Sequence, residues 1–392
     1  MHILIIPSWY SDQPKGVRGS FFRDQALSLQ KNKNKVGILV PPKLFSLLKW
    51  KEFSSVKWGI KTTVESGIPV YRNNIILWIP QFLSFFVWRT KRQALKSFRK
   101  YIADYGFPDI MHVHSVLYAG VIAEVINKKY NIPYVVTEHS TAYARELLEG
   151  KKTKQTILSV LDTASLCLAV SKSFVNLLNR YCEGKILWQY LPNMLGHEFE
   201  FMDFVLPSNT SESFYFYNIS ILSSKKRIDL LLRAFADAFK GEKAVLLRIG
   251  GDGKHRVKLE KLARELDINE QVCFLGMLNR QNVINLIKDS HVCIVSSDVE
   301  TFGVVVIESL SLGRPVISTE CGGPESIIDS GDGYVIPKGS IKDMSLAIRK
   351  IYSEYDKFDF FEIRRRCLAR FSSESIAIKL NDYYQNIINK VD

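Results

Sequence analysis

Two carboxylates, Glu300 and Glu308, flank seven residues in the segment Glu300-Thr301-Phe302-Gly303-Val304-Val305-Val306-Ile307-Glu308. The apolar run His291-Val292-Cys293-Ile294-Val295-Ser296 before it reads as a strand, and the residues after Gly303 as the opening of a helix. A strand, a glycine-bearing turn and a helix N-terminus point unpaired backbone N–H groups at one spot, where an anion such as a diphosphate is stabilised. Glu300 then stands at the mouth of the turn and Glu308 about two turns into the helix, on a similar face. Carboxylates repel a phosphate but accept hydrogen bonds from sugar hydroxyls. The same two residues also read as an exposed helix face.

His139 follows the apolar strand Tyr134 to Thr137, so it lies at a strand's carboxyl end, as a ligand contact or a satisfied structural histidine. His112 and His114, in Asp109-Ile110-Met111-His112-Val113-His114, alternate with apolar residues one strand earlier; they either line an acceptor or pack. In Pro14-Lys15-Gly16-Val17-Arg18-Gly19-Ser20, Gly16 and Gly19 let backbone approach a phosphate or acceptor closely, or simply shape a strand-to-helix turn. No Asp-x-Asp occurs, and no residue stands out as a covalent nucleophile. The expectation is therefore no metal and no cofactor, with leaving-group charge balanced by cations and a helix terminus.

Short apolar runs bounded by turn residues alternate with helix-length amphipathic segments, the pattern of parallel sheets with helices on both faces. Strands are expected at 2–7, 36–40, 110–113, 134–137 and 166–170, and, after a polar stretch near 207–213, at 216–222, 245–250, 272–275, 292–296, 315–318 and 334–336. Helices at about 341–353 and 372–390 follow. The fold class is α/β, with two doubly wound Rossmann-like domains, residues 1–200 and 201–372, facing each other across a cleft, and 373–392 a C-terminal helix packing back towards the first domain. Ligands of such sheets bind at the carboxyl ends of strands.

The length of 392 residues and a 46% hydrophobic content suit two cores. The start, Met1-His2-Ile3-Leu4-Ile5-Ile6-Pro7, lacks a basic leader region and argues against a signal peptide. Six scattered cysteines without Cys-x-x-Cys spacing read as core residues in a reducing compartment. The net charge of +13 is one-sided: residues 1–200 hold 27 Lys+Arg against 14 Asp+Glu, while residues 201–392 hold 26 of each. This asymmetry, with a neutral second half, disfavours a nucleic-acid binder and favours one domain laid on an anionic surface. No acidic residue occurs between Glu65 and Asp104. There the apolar run 75–88, with Trp78, Phe82, Phe85, Phe86 and Trp88, leads into Arg89, Lys91 and Arg92. The run is too short to span a bilayer but has the make-up of an interfacial helix; it also reads as a core helix with a solvated basic end. A peripheral protein on the inner face of a cell membrane is the expectation.

Several motifs in order carry a resemblance. The two glutamates with the following Ser309-Leu310-Ser311-Leu312-Gly313-Arg314-Pro315-Val316 resemble the signature of the family 4 retaining glycosyltransferases of the GT-B fold. Ile249-Gly250-Gly251-Asp252-Gly253, Val272-Cys273-Phe274-Leu275-Gly276, Cys321-Gly322-Gly323-Pro324-Glu325, Thr137-Glu138-His139 and Leu191-Pro192-Asn193 continue the match. The resemblance implies that Glu300 holds donor-sugar hydroxyls, Glu308 the ribose, backbone N–H groups of Phe302, Gly303 and Val304 the distal phosphate, and His139 a position beside the sugar. It places Gly251 at the donor, Gly19 in the loop after the first strand, and Lys226 on the diphosphate. The chain departs from the pattern at Ile221, where arginine is usual, and at Arg227, where glycine is; Lys225 or Arg227 is expected to replace the lost charge. The implied activity moves a hexose or N-acetylhexosamine from a nucleotide diphosphate sugar, with retention, to a lipid-linked or polysaccharide acceptor in O-antigen, capsule or exopolysaccharide assembly.

A nicotinamide dehydrogenase is the first rival, but Gly251-Asp252-Gly253-Lys254-His255-Arg256 lacks the third glycine of the dinucleotide fingerprint. No Gly-Lys-Ser/Thr loop supports a nucleotide triphosphatase. A membrane-docked scaffold that kept the fold and lost catalysis, motivated by Ile221, is the reading from another class.

Overall fold

In the computed structural model, residues 1–11, 19–46, 58–77, 83–206 and 213–390 are described. The chain forms two units. The first comprises Met1–Val170, Val175–Leu191 and Ser373–Asp392, the second Ser171–Phe174 and Pro192–Ser372. The C-terminal helix Ser373–Ile388 thus belongs to the first unit, where Asn381 Oδ1 accepts from Asn34 Nδ2 at 2.9 Å.

Unit 1 is built on a nine-stranded sheet. Its main path runs Lys43–Ser46, Ile68–Leu77, Lys35–Leu39, His2–Pro7, Ile110–His114, Tyr134–Glu138, Leu166–Ala169, Trp188–Tyr190. These neighbours pair in parallel. His2–Pro7 and Ile110–His114 are buried throughout, as strands of a doubly covered parallel sheet should be, although the second carries His112 and His114.

The antiparallel strand Gly59–Glu65 pairs with Ile68–Leu77 through a two-residue turn, Ser66-Gly67, with positive φ at both positions (49° and 84°). Such a turn matches the twist of a hairpin. Sequence periodicity did not reveal this hairpin, because Gly59–Glu65 lies at the sheet's margin and leaves every side chain but that of Glu65 at least partly exposed. It also corrects the reading of residues 75–88 as one interfacial helix: Ile75-Ile76-Leu77 ends a strand, and the helix begins at Leu83. Trp78 and Phe82 lie outside the described residues.

The helix Leu83–Tyr105 buries Thr90, Ala94, Ser97, Phe98 and Tyr101. Its outer stripe shows Trp88, Arg92, Lys96, Arg99 and Lys100, residues that helical spacing places on one face. The Arg92 guanidinium lies 5.5 Å from the centre of the Trp88 ring. Lys91, one of the cations expected at a membrane, instead reaches towards the buried Glu124 at 3.9 Å.

Unit 2 is an all-parallel six-stranded sheet in the order Val272–Gly276, Val245–Gly250, Phe214–Ile219, Val292–Val295, Val316–Thr319, Gly333–Ile336. Phe216, Phe235, Phe239, Leu247, Ile249 and Ile294 form part of its core. Arg314, from the signature segment, has a structural task. It is fully buried, and its guanidinium donates to the carbonyls of Ile287, Lys288, Ser290, Leu312 and Val205 at 2.6–3.2 Å. Those bonds compensate the desolvation of the charge.

Candidate active site

In unit 2 the segment after Val292–Val295 is fixed by backbone before any side chain acts. Glu300 N–H donates to the Cys321 carbonyl at 2.8 Å, and Gly323 N–H donates to the Glu300 carbonyl at 2.9 Å. The contact is so close that side chains are excluded: a Cβ on Gly322 would lie 2.7 Å from the Glu300 carbonyl oxygen, and one on Gly323 2.2 Å from that of Phe302. This is why Cys321-Gly322-Gly323 accompanies the two-glutamate segment. Gly303 caps the helix Val304–Ser311 with φ 98°, ψ 63°, a left-handed conformation that glycine adopts without strain. Phe302 is buried, with its ring 6.1 Å from that of Phe371, so only its backbone can serve a ligand. Val304 is partly exposed on the first turn, where N–H groups lack intrahelical acceptors.

The side chains of Glu300 and Lys226 form an ion pair, and Ser297 Oγ donates to Glu300 Oε1 at 2.8 Å. Lys226 closes a short turn, Ser224–Lys226, after the strand Phe214–Ile219; its carbonyl accepts from Ser296 Oγ at 2.8 Å. Lys225 is tied in through its carbonyl, which accepts from Asp298 N–H at 2.8 Å. Arg227, where the family resemblance expects glycine, has φ 48°, ψ 41°, a left-handed backbone that explains the glycine preference. Its guanidinium engages Asp229 at 3.2 Å and Asp298 at 3.3 Å, and the Asp229 bond raises its pKa further. Ile221 is 66% exposed.

Gly251 brings two loops into contact. Its φ is 120°, and a Cβ there would lie 1.9 Å from the Ser220 carbonyl oxygen. Glu308 is 6% exposed and accepts from Arg280 Nη1 at 2.6 Å. Sequence reasoning missed Arg280: it opens the helix Arg280–Lys288, outside any motif, with 28 positions separating it from its partner.

In unit 1, His139 follows the strand Tyr134–Glu138. Its Nε2 lies 3.0 Å from His114 Nδ1, and its ring is packed by Trp9, Phe21 and Phe22 with centroids 5.2–6.5 Å away. Burial lowers its pKa to about 3, so the imidazole is neutral near pH 7. Glu138 anchors this corner. Its buried carboxyl accepts the N–H groups of Val116, His139 and Ser140, each at 2.8 Å, while desolvation pushes its pKa up. Gly19 has φ 76°, and a Cβ there would meet the Trp9 carbonyl oxygen at 2.9 Å; Gly16 lies outside the described residues.

The alternative that His112 and His114 line an acceptor surface is corrected, since both are fully buried. Their rings stack at 4.4 Å, and His112 bonds the Tyr384 hydroxyl at 2.5 Å and Thr137 Oγ1 at 2.8 Å. Among the described residues, no group of three or more His, Cys, Asp or Glu side chains could hold a metal ion, and no helix is long and apolar enough to cross a membrane.

Residues 200–367 match the family model described as Glycosyl transferases group 1, and residues 60–186 match that described as Glycosyltransferase Family 4. The chain belongs to the family 4 glycosyltransferases. The chain is 27% identical over 282 residues to the alpha-monoglucosyldiacylglycerol synthase of Streptococcus pneumoniae (strain ATCC BAA-255 / R6), a match covering 66% of this chain but only 63% of that relative. Among solved structures, sucrose-phosphate synthase from Thermosynechococcus elongatus superposes with a TM-score of 0.78 at 18% identity, over the whole of both chains. Anabaena HepE in complex with UDP and glucose superposes with a TM-score of 0.70 at 16% identity, over 98% of this chain and all of that one. These two likenesses establish the GT-B fold, with its two parallel-sheet α/β domains.

Proposed function

We propose that this glycosyltransferase moves a hexose or N-acetylhexosamine from a nucleoside diphosphate to a lipid-linked or polysaccharide acceptor, with retention and without a metal ion. The carrying observation is the ion pair of Lys226 with Glu300, beside a helix that begins at a left-handed glycine. In this reading Lys226 turns to the diphosphate, Lys225 and Arg227 add positive potential, and the N–H groups of Phe302, Gly303 and Val304 meet the distal phosphate. Glu300 accepts sugar hydroxyls, Glu308 accepts from the ribose, and the Gly251 backbone borders the donor. For unit 1 we assign His139 as a neutral hydrogen-bonding partner of a sugar hydroxyl and Gly19 as the opening of the acceptor loop. The anomeric carbon–phosphate oxygen bond breaks as the acceptor oxygen bonds to the same face. The departing phosphate oxygen takes the acceptor's proton.

The protein is assigned to the inner face of a cell membrane, held peripherally, in surface-polysaccharide assembly. The exposed stripe Trp88–Arg92–Lys96–Arg99 supports this, since aromatic and cationic residues side by side suit anionic headgroups. The diacylglycerol in the name of the Streptococcus relative supports a lipid-linked acceptor. The exposed Ile221 in place of arginine favours a second reading, a docked scaffold without turnover.

Thermal-shift and calorimetric titration with UDP- and GDP-sugars, with and without EDTA, separates these readings. Donor at a hundredfold its Kd should stabilise the fold by about 2.7 kcal/mol, equally with EDTA, and much less in Glu308→Ala. NMR of the product should show the donor's anomeric configuration. Silence across the panel favours the scaffold, and an inverted product overturns the mechanism.

A further inference from the structure

Glu308 is a buried carboxylate, and burying such a group alone is costly unless it is paired. Its pair, Arg280, is held on several sides. Arg280 Nη1 donates to Glu308 Oε1 at 2.6 Å. The guanidinium lies 4.6 Å from the centre of the fully buried Phe199 ring, and its Nε is 3.6 Å from Glu198. Gly196 leaves room for it, since a Cβ there would fall 1.9 Å from Nη2. The helix that starts with Arg280 is capped by Asn279, whose side chain accepts from Asn282 N–H at 2.9 Å. Such a nest selects a flat, permanently charged fork: arginine stacks and aims its donors, whereas lysine offers a point charge on a flexible stem.

We propose that Arg280 is a positioning residue for the donor's ribose, acting through Glu308. It keeps the Glu308 carboxylate ionised and fixes its orientation, so that the ribose 2′- and 3′-hydroxyls meet a preset acceptor. A carboxylate accepts at about four lone-pair positions, so one guanidinium bond does not exhaust it. The inference rests on the assignment of Glu308 to the ribose.

The test is calorimetric titration of the full-length protein with UDP and GDP and their 2′,3′-dideoxy forms, together with donor KM and kcat. Wild type should prefer the ribonucleotide by on the order of 10- to 100-fold, as hydrogen bonds to a charged group imply. Arg280→Gln should reduce that preference to a few-fold and raise KM for donor more than it lowers kcat, and Arg280→Lys should recover part of it. Gly196→Ala, which intrudes on the guanidinium and leaves both charges in place, should act in the same direction and serves if Arg280→Gln does not fold. Undiminished ribose preference in Arg280→Gln or Gly196→Ala, alongside its loss in Glu308→Gln, overturns the role of Arg280 alone. Undiminished preference in Glu308→Gln overturns the ribose assignment itself.

Discussion

Acidification from pH 7.5 to 5.5 should loosen unit 1 through His112 and His114. Both are fully buried. Burial lowers the pKa of His112 to about 3 and that of His114 well below its ordinary 6.5. The folded pKa is depressed, so the folded protein refuses protons that the unfolded chain accepts. The stability at stake is therefore present above pH 6.5 and lost as pH falls from there towards 3. At pH 5.5, one unit below the unfolded value, each histidine costs on the order of 1 kcal/mol, and the pair roughly 2 to 3 kcal/mol. His139 acts in the same direction, while Glu138, whose pKa is raised, acts oppositely below its own pKa. The comparison is accordingly made against the variant His112→Asn/His114→Asn, which keeps His139 and Glu138. All six tryptophans of the chain fall within the residue ranges of unit 1, so urea unfolding followed by intrinsic fluorescence reports on that unit. Wild type should lose roughly 2 to 3 kcal/mol more than the variant between the two pH values. Equal losses, or an NMR titration of the His112 ring near pH 6.5, would refute the reasoning.

Lys226→Ala should lower kcat/KM by on the order of 10²- to 10³-fold, since one member of a partly desolvated charge pair is removed; near-normal turnover in a steady-state assay would contradict its assignment. Gly323→Ala places a methyl against the Phe302 backbone and should abolish donor-induced thermal stabilisation while leaving the tryptophan-detected unfolding of unit 1 unchanged. Gly251→Ala, with a Cβ overlapping the Ser220 carbonyl, should destabilise unit 2 by more than about 2 kcal/mol, the range of strained-backbone lesions, as read by hydrogen exchange of its amides. Reversing Arg92, Lys96 and Arg99 to glutamate should weaken sedimentation with phosphatidylserine vesicles by at least on the order of 100-fold, given about 1 kcal/mol per basic residue. Binding by wild type that ignores added salt would count against that surface.

What the sequence determined by itself is local. Apolar runs of strand length, separated by amphipathic segments, placed most strands of both sheets within a residue or two, because burial on both faces of a parallel sheet writes itself as continuous hydrophobicity. The turn at Gly303 and the order of the motifs were legible for the same reason: a capped helix after a strand needs only neighbouring residues. Tertiary structure decided the rest. The hairpin Gly59–Leu77 escaped because a marginal strand with polar, exposed side chains has no apolar run to betray it. The glycines of Cys321-Gly322-Gly323 and Gly251 belong to a pattern in sequence, but their reason is a backbone pressed against them from another loop. Likewise, His112 meets Tyr384 from 272 positions away, and Arg280 meets Glu308 from the neighbouring helix, across the intervening strand Val292–Val295. Such partners are set by which strands lie side by side, and periodicity along the chain carries no record of that order.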